Sequence, residues 1–307
     1  MIPRVQQVMK QARERRSAVA YIRMLNRREL IASTFAAGAS AVFAKGFTKP
    51  LGVQLYTVRS IMPKAAKETI DAIAKIGYKE AEVLIPASVP VLGMLKDAGI
   101  NAISGHFPNT LLTGKPDPMI TWENQIENAQ KYGVKYFVVA YIAPPDRGKD
   151  LDFYRKFADK MNHGAELCSK AGLRFCYHNH AFEFGPLQGS SAWQVLMERC
   201  DKKVGVEMDV FWVSVAGQDP IAMLKKHPGR FPLLHLKDKA KGAPVQFNEG
   251  VDRGTFKEVG NGAIDFKALL AAAQKAKVEH YIVEQDQTPG DPVDSLRQSY
   301  TYLRKLA

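Results

Sequence analysis

The stretch Lys170-Ala171-Gly172-Leu173-Arg174-Phe175-Cys176-Tyr177-His178-Asn179-His180 carries the repeating unit of the architecture. It closes a helix-like segment on glycine, where a C-cap needs positive φ, and then runs directly into a short apolar strand. The same order recurs at Lys75-Ile76-Gly77, Asp97-Ala98-Gly99 and Lys131-Tyr132-Gly133. Helix, glycine stop and strand in repetition are the rhythm of βα units around a parallel core.

Working outward from this unit, apolar and β-branched runs predict eight strands, at residues 51–56, 80–84, 101–105, 136–141, 174–178, 204–208, 233–236 and 281–284. Helical periodicity predicts helices over 61–76, 89–98, 119–132, 151–171, 191–199, 220–226 and 266–277. No linker interrupts them. Eight units in roughly 250 residues match a (β/α)8 TIM barrel. A doubly wound open sheet needs a Gly-rich turn after its first strand, and residues 51–60 contain none. The longest strand-to-helix connection, 237–264, is rich in glycine and charge, and loops at this end of a barrel build its active site.

The barrel is expected over residues 45–307, and the 44 residues before it read differently. Asn26-Arg27-Arg28-Glu29-Leu30 precedes an apolar, small-residue run, 31–44, that ends Val42-Phe43-Ala44. This resembles a twin-arginine export signal with cleavage after Ala44, and the run is shorter than the roughly 20 residues that span a bilayer. The expected location is periplasmic or secreted. The stretch before Met24 is longer and more basic than such a signal requires, which makes Met24 an alternative start.

Residues 1–44 hold eight basic and two acidic side chains, half of the formal charge of +12. A nucleic-acid partner is therefore not expected, because that charge sits in a removable segment. With 24% charged and 46% hydrophobic residues, the chain is neither disordered nor fibrous. Three cysteines, Cys168, Cys176 and Cys200, form no CxxC pair and declare neither a disulfide framework nor a thiolate zinc site.

Chemistry-bearing residues fall at strand ends. His178 and His180 are two apart, so both face one side of their strand. Asp209 ends Val206-Glu207-Met208-Asp209, His235 and Lys237 end Leu233-Leu234-His235-Leu236-Lys237, and Glu284 ends Tyr281-Ile282-Val283-Glu284. Singly, a strand-end aspartate caps the next helix and a strand-end histidine is a satisfied polar residue. Four consecutive strands of a closed barrel, however, bring such groups to one rim. Imidazole and carboxylate together suit one divalent ion, Mn²⁺ first and then Zn²⁺, Co²⁺ or Fe²⁺, better than Ca²⁺. His106 ends the third strand beside Gly105, which would let a ligand approach, although plain packing also explains it. Glu80 and Glu82 flank the second strand, with one expected inward and Glu80 expected on the surface. Lys237 could hold a developing oxyanion or a substrate hydroxyl. His163, His227 and His280 read as structural.

Five motifs now carry a resemblance: Tyr177-His178-Asn179-His180-Ala181-Phe182-Glu183-Phe184, Met208-Asp209-Val210-Phe211-Trp212-Val213, Leu234-His235-Leu236-Lys237-Asp238, residues 259–266 (VGNGAIDF) and Val283-Glu284-Gln285-Asp286. In this order, after Gly52-Val53-Gln54-Leu55-Tyr56, they resemble the sugar phosphate isomerase/epimerase group of xylose isomerase-like TIM barrels. The resemblance runs from about Leu51 to the C-terminus. It implies one metal held by Glu, Asp, His and Glu from strands 5 to 8, the two glutamates moving protons on opposite substrate faces. Asp209, His235 and Glu284 fit three places, and His178 stands in the fourth, where the family has glutamate.

The implied chemistry is proton abstraction next to a carbonyl, with the metal on carbonyl and hydroxyl oxygens stabilising the enediolate. Glu284 is the expected proton-moving group, with His178, His180 or Glu183 as its partner. The expected activity is sugar isomerisation or epimerisation, with elimination by a keto-sugar lyase or dehydratase as the alternative that the strand-5 departure favours. The expected partner is a small sugar or keto-sugar, with no membrane after signal removal and with room for a homo-oligomer. Two rivals are an endonuclease with a trinuclear zinc cluster, for which the early strands supply only His106 and Glu82, and a non-catalytic periplasmic sugar-binding protein. Neither a Gly-rich phosphate cradle nor an arginine cluster stands near the strand ends, so the substrate is not expected to carry phosphate.

Overall fold

Eight parallel strands pair in chain order and the last closes on the first. They are β1 (Gly52–Gln54), β2 (Glu80–Leu84), β3 (Asn101–Phe107), β4 (Tyr136–Val139), β5 (Arg174–His178), β6 (Gly205–Asp209), β7 (Leu233–Leu236) and β8 (His280–Val283). The computed structural model describes residues 46–306 except 115, 116 and 119. The signal-like stretch 1–44 and Met119, the expected start of the third helix, lie outside the described residues. Phe47–Leu306 form one unit. No helix among the described residues is long and apolar enough to cross a membrane.

All eight expected strands are present, shifted at their ends by at most two residues. The first stops at Gln54 and turns into a 3-10 helix, Leu55–Val58. The principal helices, one after each strand, are α1 (Met62–Ile76), α2 (Leu92–Asp97), α3 (Trp122–Tyr132), α4 (Leu151–Lys170), α5 (Ala192–Arg199), α6 (Pro220–Lys226), α7 (Phe266–Lys275) and α8 (Pro292–Lys305). α8 was not anticipated from the sequence. It closes the ring where the chain enters: Tyr78 Oη donates to the Leu296 carbonyl at 2.9 Å, and Arg304 donates to the carbonyls of Phe47 (2.6 Å) and Lys49 (2.7 Å). Thr121 and Asp150 cap α3 and α4 through side-chain oxygens on Asn124 N–H and Phe153 N–H. Gly133 ends α3 at φ +73°.

Strand alternation sorts the barrel into an apolar outer face and a mixed interior. Outward, Phe107 and Phe137 stack with centroids 3.8 Å apart beneath Trp122 of α3. Inward, Tyr136, Val138, Cys176 and Leu233 form a dry cluster. Further along, toward the carboxyl ends, the interior becomes polar: Gln54, Glu82, Ser104, Glu207, Asp209 and His235 are each fully buried. An irregularity in the β2–β3 register at Ala81/Glu82 pairs Glu82 with Ser104 and Leu84 with His106. It brings Ser104 and His106 onto the inner face.

Candidate metal centre

β6 and β7 run in register with Asp209 opposite His235, and β5 places His178 opposite Glu207. Asp209 Oδ2, His235 Nδ1 and Glu284 Oε2 converge, the group's candidate ligand atoms lying within 4.8 Å of one another. His235 Nδ1 is 2.8 Å from Glu284 Oε2 and 3.9 Å from Asp209 Oδ2, and His178 Nε2 is 3.7 Å from the same Asp209 oxygen. Asp209 is held by the backbone around it. Its Oδ1 accepts the N–H groups of Phe211 and Trp212, which starts the short helix Val210–Val215, while its own N–H donates to Asn179 Oδ1. Asp209 Oδ2 is left buried without a hydrogen bond, although the Lys237 ammonium lies 2.9 Å away.

Lys237, 1% exposed, sits among three carboxylates: Glu284 at 2.7 Å, Asp209 at 2.9 Å and Asp286 at 3.1 Å. Burial works against its charge, but Asp209, Asp286 and Glu284 outweigh it and raise the pKa well above the ordinary lysine value. Burial likewise opposes ionisation of Glu284, yet Lys237 and His235 hold its carboxyl well below the usual range. Asp286 is pushed by burial up to about 6, against the pull of Lys237. Asp286 is a cleft residue that the sequence reading did not single out.

A second layer lies beneath. Glu207 Oε2 is 3.0 Å from His178 Nδ1, 3.0 Å from His106 Nε2 and 3.3 Å from His235 Nε2. Glu82 Oε1 is 2.7 Å from both His235 Nε2 and His106 Nε2, and it accepts Gln54 Nε2 at 2.7 Å. Ser104 Oγ donates to the other Glu82 oxygen at 2.5 Å. Burial alone would lower His106, but the Glu82 and Glu207 carboxylates raise it to about 10.

His106, His178, Glu207 and His235 therefore also cluster as ligand types. The two clusters share His235, and His178 of the lower one reaches Asp209 of the upper one through Nε2; a neutral imidazole offers one lone pair. With Glu207 and Glu82 taking the N–H at His178 Nδ1 and His235 Nε2, the lone pairs at His178 Nε2 and His235 Nδ1 turn toward Asp209 and Glu284. Carboxylates on the far nitrogens of ligand histidines are the usual second layer of a metal site. Two imidazoles and two carboxylates, the orphaned Asp209 Oδ2 among their oxygens, fit a divalent ion at the upper position.

The cleft above has a volume of about 510 Å³, and its lining includes His106, His178, His180, Trp212, Glu284 and Asp286. The long β7–α7 loop contributes Glu249, Val251, Arg253 and Phe256, as its length led us to expect. Its course is set by Asp238, whose carboxylate accepts the N–H groups of Lys239, Gly260, Gly262 and Ile264 at 2.8–3.1 Å. A Cβ at Gly262 would run into Asp238, which explains the glycine of the 259–266 motif.

His180 faces the cleft between Tyr141 and Trp212, with ring centroids 5.2 and 5.5 Å away. Its Nδ1 is buried without a partner, and burial, then Lys237, holds its pKa well below the ordinary histidine value. Glu183 is not brought to the cleft lining. It is buried beneath, accepting Tyr177 Oη at 2.6 Å and the His180 backbone N–H at 2.9 Å, and so fixes the turn that carries His180. Two other expectations change. A Cβ on Gly105 would meet Ile85, Phe107 and Val83, so this glycine serves packing outside the barrel and not ligand approach. Glu80 is buried rather than on the surface, and pairs with His280 Nδ1 at 2.9 Å near the amino end of β8.

A sequence profile described as xylose isomerase-like TIM barrel matches residues 70–306. An inosose dehydratase of Clostridium beijerinckii is 26% identical over 276 residues, covering 80% of this chain and 92% of that protein. An inosose dehydratase of Geobacillus thermodenitrificans is 30% identical over 158 residues, covering 48% of this chain and about half, 52%, of its own length. Among solved structures, a sugar phosphate isomerase/epimerase from Parabacteroides distasonis superposes with a TM-score of 0.70 at 21% identity, covering 85% of this chain and 95% of that one.

Proposed function

Because the chain belongs to the xylose isomerase-like TIM barrel family, we propose that it is a divalent-metal-dependent lyase of the dehydratase kind acting on a keto-sugar or keto-polyol. The observation that carries this reading is His178 at the strand-5 position. A two-sided epimerase needs a carboxylate on each substrate face, and here the second one is an imidazole whose Nδ1 is tied to Glu207. Relatives named inosose dehydratase support elimination over epimerisation.

In this reading His178, Asp209, His235 and Glu284 hold one ion, Mn²⁺ first among the candidates. When bound, it supplies Lewis-acid polarisation of the substrate carbonyl. His180, neutral and with a free Nδ1 on the cleft wall, takes the proton from the carbon next to the carbonyl. The C–H electron pair becomes the new C=C bond, the C–O bond on the adjacent carbon breaks, and the departing oxygen takes a proton and leaves as water or an alcohol. His106, with its Nε2 side fixed by Glu82 and Glu207, stands in the cleft lining to give that proton. Lys237 counters the charge that develops as the proton is lost. Export by the twin-arginine route belongs to the same proposal and rests on Arg27-Arg28 and the small-residue run that follows.

A panel of keto-sugars and keto-polyols incubated with the protein and Mn²⁺ in D₂O, followed by NMR, tests the reaction class. An unsaturated ketone product is expected. A deuterated epimer with no unsaturated product would make the protein an epimerase instead.

A further inference from the structure

We propose that the cleft takes a substrate of two ring units, with one ring at the His178–Asp209–His235–Glu284 group and a second pyranose ring on an outer subsite of Tyr56, Tyr141 and Glu249. That the inner ring is a sugar rests on the function proposed above. The outer subsite rests on its own observations.

The first is size: a cleft of about 510 Å³ falls in the range of roughly 300–1,000 Å³ that holds drug-sized molecules, more than one sugar ring fills. The second is where apolar surface is left open. Five large hydrophobic side chains are exposed among the described residues. Tyr56 (38%) and Tyr141 (41%) line this cleft, and Val245 and Phe247 belong to the loop that borders it. Such clustering marks a binding surface, since scattered single residues are the ordinary case. Arg59 lies 3.9 Å over the Tyr56 ring and Arg147 5.6 Å from the Tyr141 centroid, so cations steady both rings. Their apolar faces suit the C–H face of a pyranose, which has no charge to pair.

The third observation is unmet polar demand on two different elements of the lining, the strand ends and the long loop. Buried polar atoms ordinarily have partners. Among the lining residues, His180 Nδ1, Trp212 Nε1 and Glu249 Oε1 are buried without one. His180 and Trp212 stand beside the inner group. Glu249 comes from the long β7–α7 loop, where Arg147 Nη2 meets its other oxygen at 2.9 Å. A single ring at the metal ligands satisfies the first two atoms and leaves Glu249 Oε1 bare. A second ring lying on the tyrosines brings a hydroxyl to it.

Isothermal titration of the Mn²⁺-loaded protein with glucose, cellobiose and maltose tests this without requiring turnover. At least one disaccharide is expected to bind tenfold or more tightly than glucose. Tyr56→Ala should reduce that preference at least fivefold with glucose affinity unchanged, Tyr141→Ala should also reduce it at least fivefold, and Tyr141→Phe, which keeps the flat face, should retain it. Equal affinity for glucose and both disaccharides, no detectable binding of either disaccharide, or a preference untouched by both alanine variants overturns the subsite. A tyrosine-dependent preference in a protein that turns over no keto-sugar keeps the subsite and removes the lyase reading, so the two fail separately.

Discussion

Glu207 Oε2 lies 3.0 Å from His178 Nδ1 across the β5–β6 register, and the same histidine turns its Nε2 toward Asp209 Oδ2 at 3.7 Å. The carboxylate below thus decides which nitrogen of His178 is free above. Glu82 does the same for His235 at 2.7 Å.

Removing the charge at Glu207 should therefore weaken the ion without touching it directly. Glu207→Gln is expected to lower Mn²⁺ affinity by roughly 10- to 100-fold, the size found for such outer partners. Equilibrium dialysis with metal analysis measures it. An unchanged affinity would remove the orienting role.

His180 and Glu284 separate proton transfer from ion binding. His180→Gln should cut turnover by roughly 100-fold or more, the scale of acid–base catalysis, with metal content unchanged. Glu284→Gln should lose both the ion and turnover. Near-normal rates in the His180 variant would return the base to Glu284, as the family resemblance implies.

Glu183 should leave a signature in the pH dependence of stability. Burial pushes its carboxyl from 4.5 up to about 7, against hydrogen bonds from Tyr177 and the backbone that pull it down. Since the folded value lies above the unfolded one, its contribution is complete below the unfolded value and is lost as the pH rises through the folded one. The full shift is worth on the order of 3 kcal/mol. Urea titrations from pH 4 to 8 should show the wild type losing stability relative to Glu183→Gln across that window, and parallel curves would contradict the buried-acid account.

The barrel was legible because glycine stops and β-branched runs are local signals, repeated where Gly133 and Gly172 close α3 and α4 at φ +73° and +76°. His178, Asp209, His235 and Glu284 were legible because residues at the ends of consecutive parallel strands must meet. Glu207 was missed although the signal was present: two residues before an inward Asp209, a period-2 strand puts Glu207 on the same face. Its partners were not readable. They depend on the β2–β3 register irregularity, which brings His106 over Glu82, and no local pattern announces such a shift. Glu183 misled for a related reason, because a carboxylate in a family motif looks chemical until the hydrogen bonds of Tyr177 and His180 are seen to occupy it. α8 went unassigned because Pro292 starts it, and proline at a first helical position reads equally well as a loop.

One divalent ion in the upper group of ligands underlies everything above. Metal-free protein titrated calorimetrically with Mn²⁺, with Asp209→Asn alongside, reads it out. One equivalent bound per chain is expected for the wild type, with at least about 100-fold weaker binding by the variant. Absence of binding by the wild type, or binding that survives Asp209→Asn and is abolished by His106→Ala, would contradict it and move the site to the lower cluster or remove it.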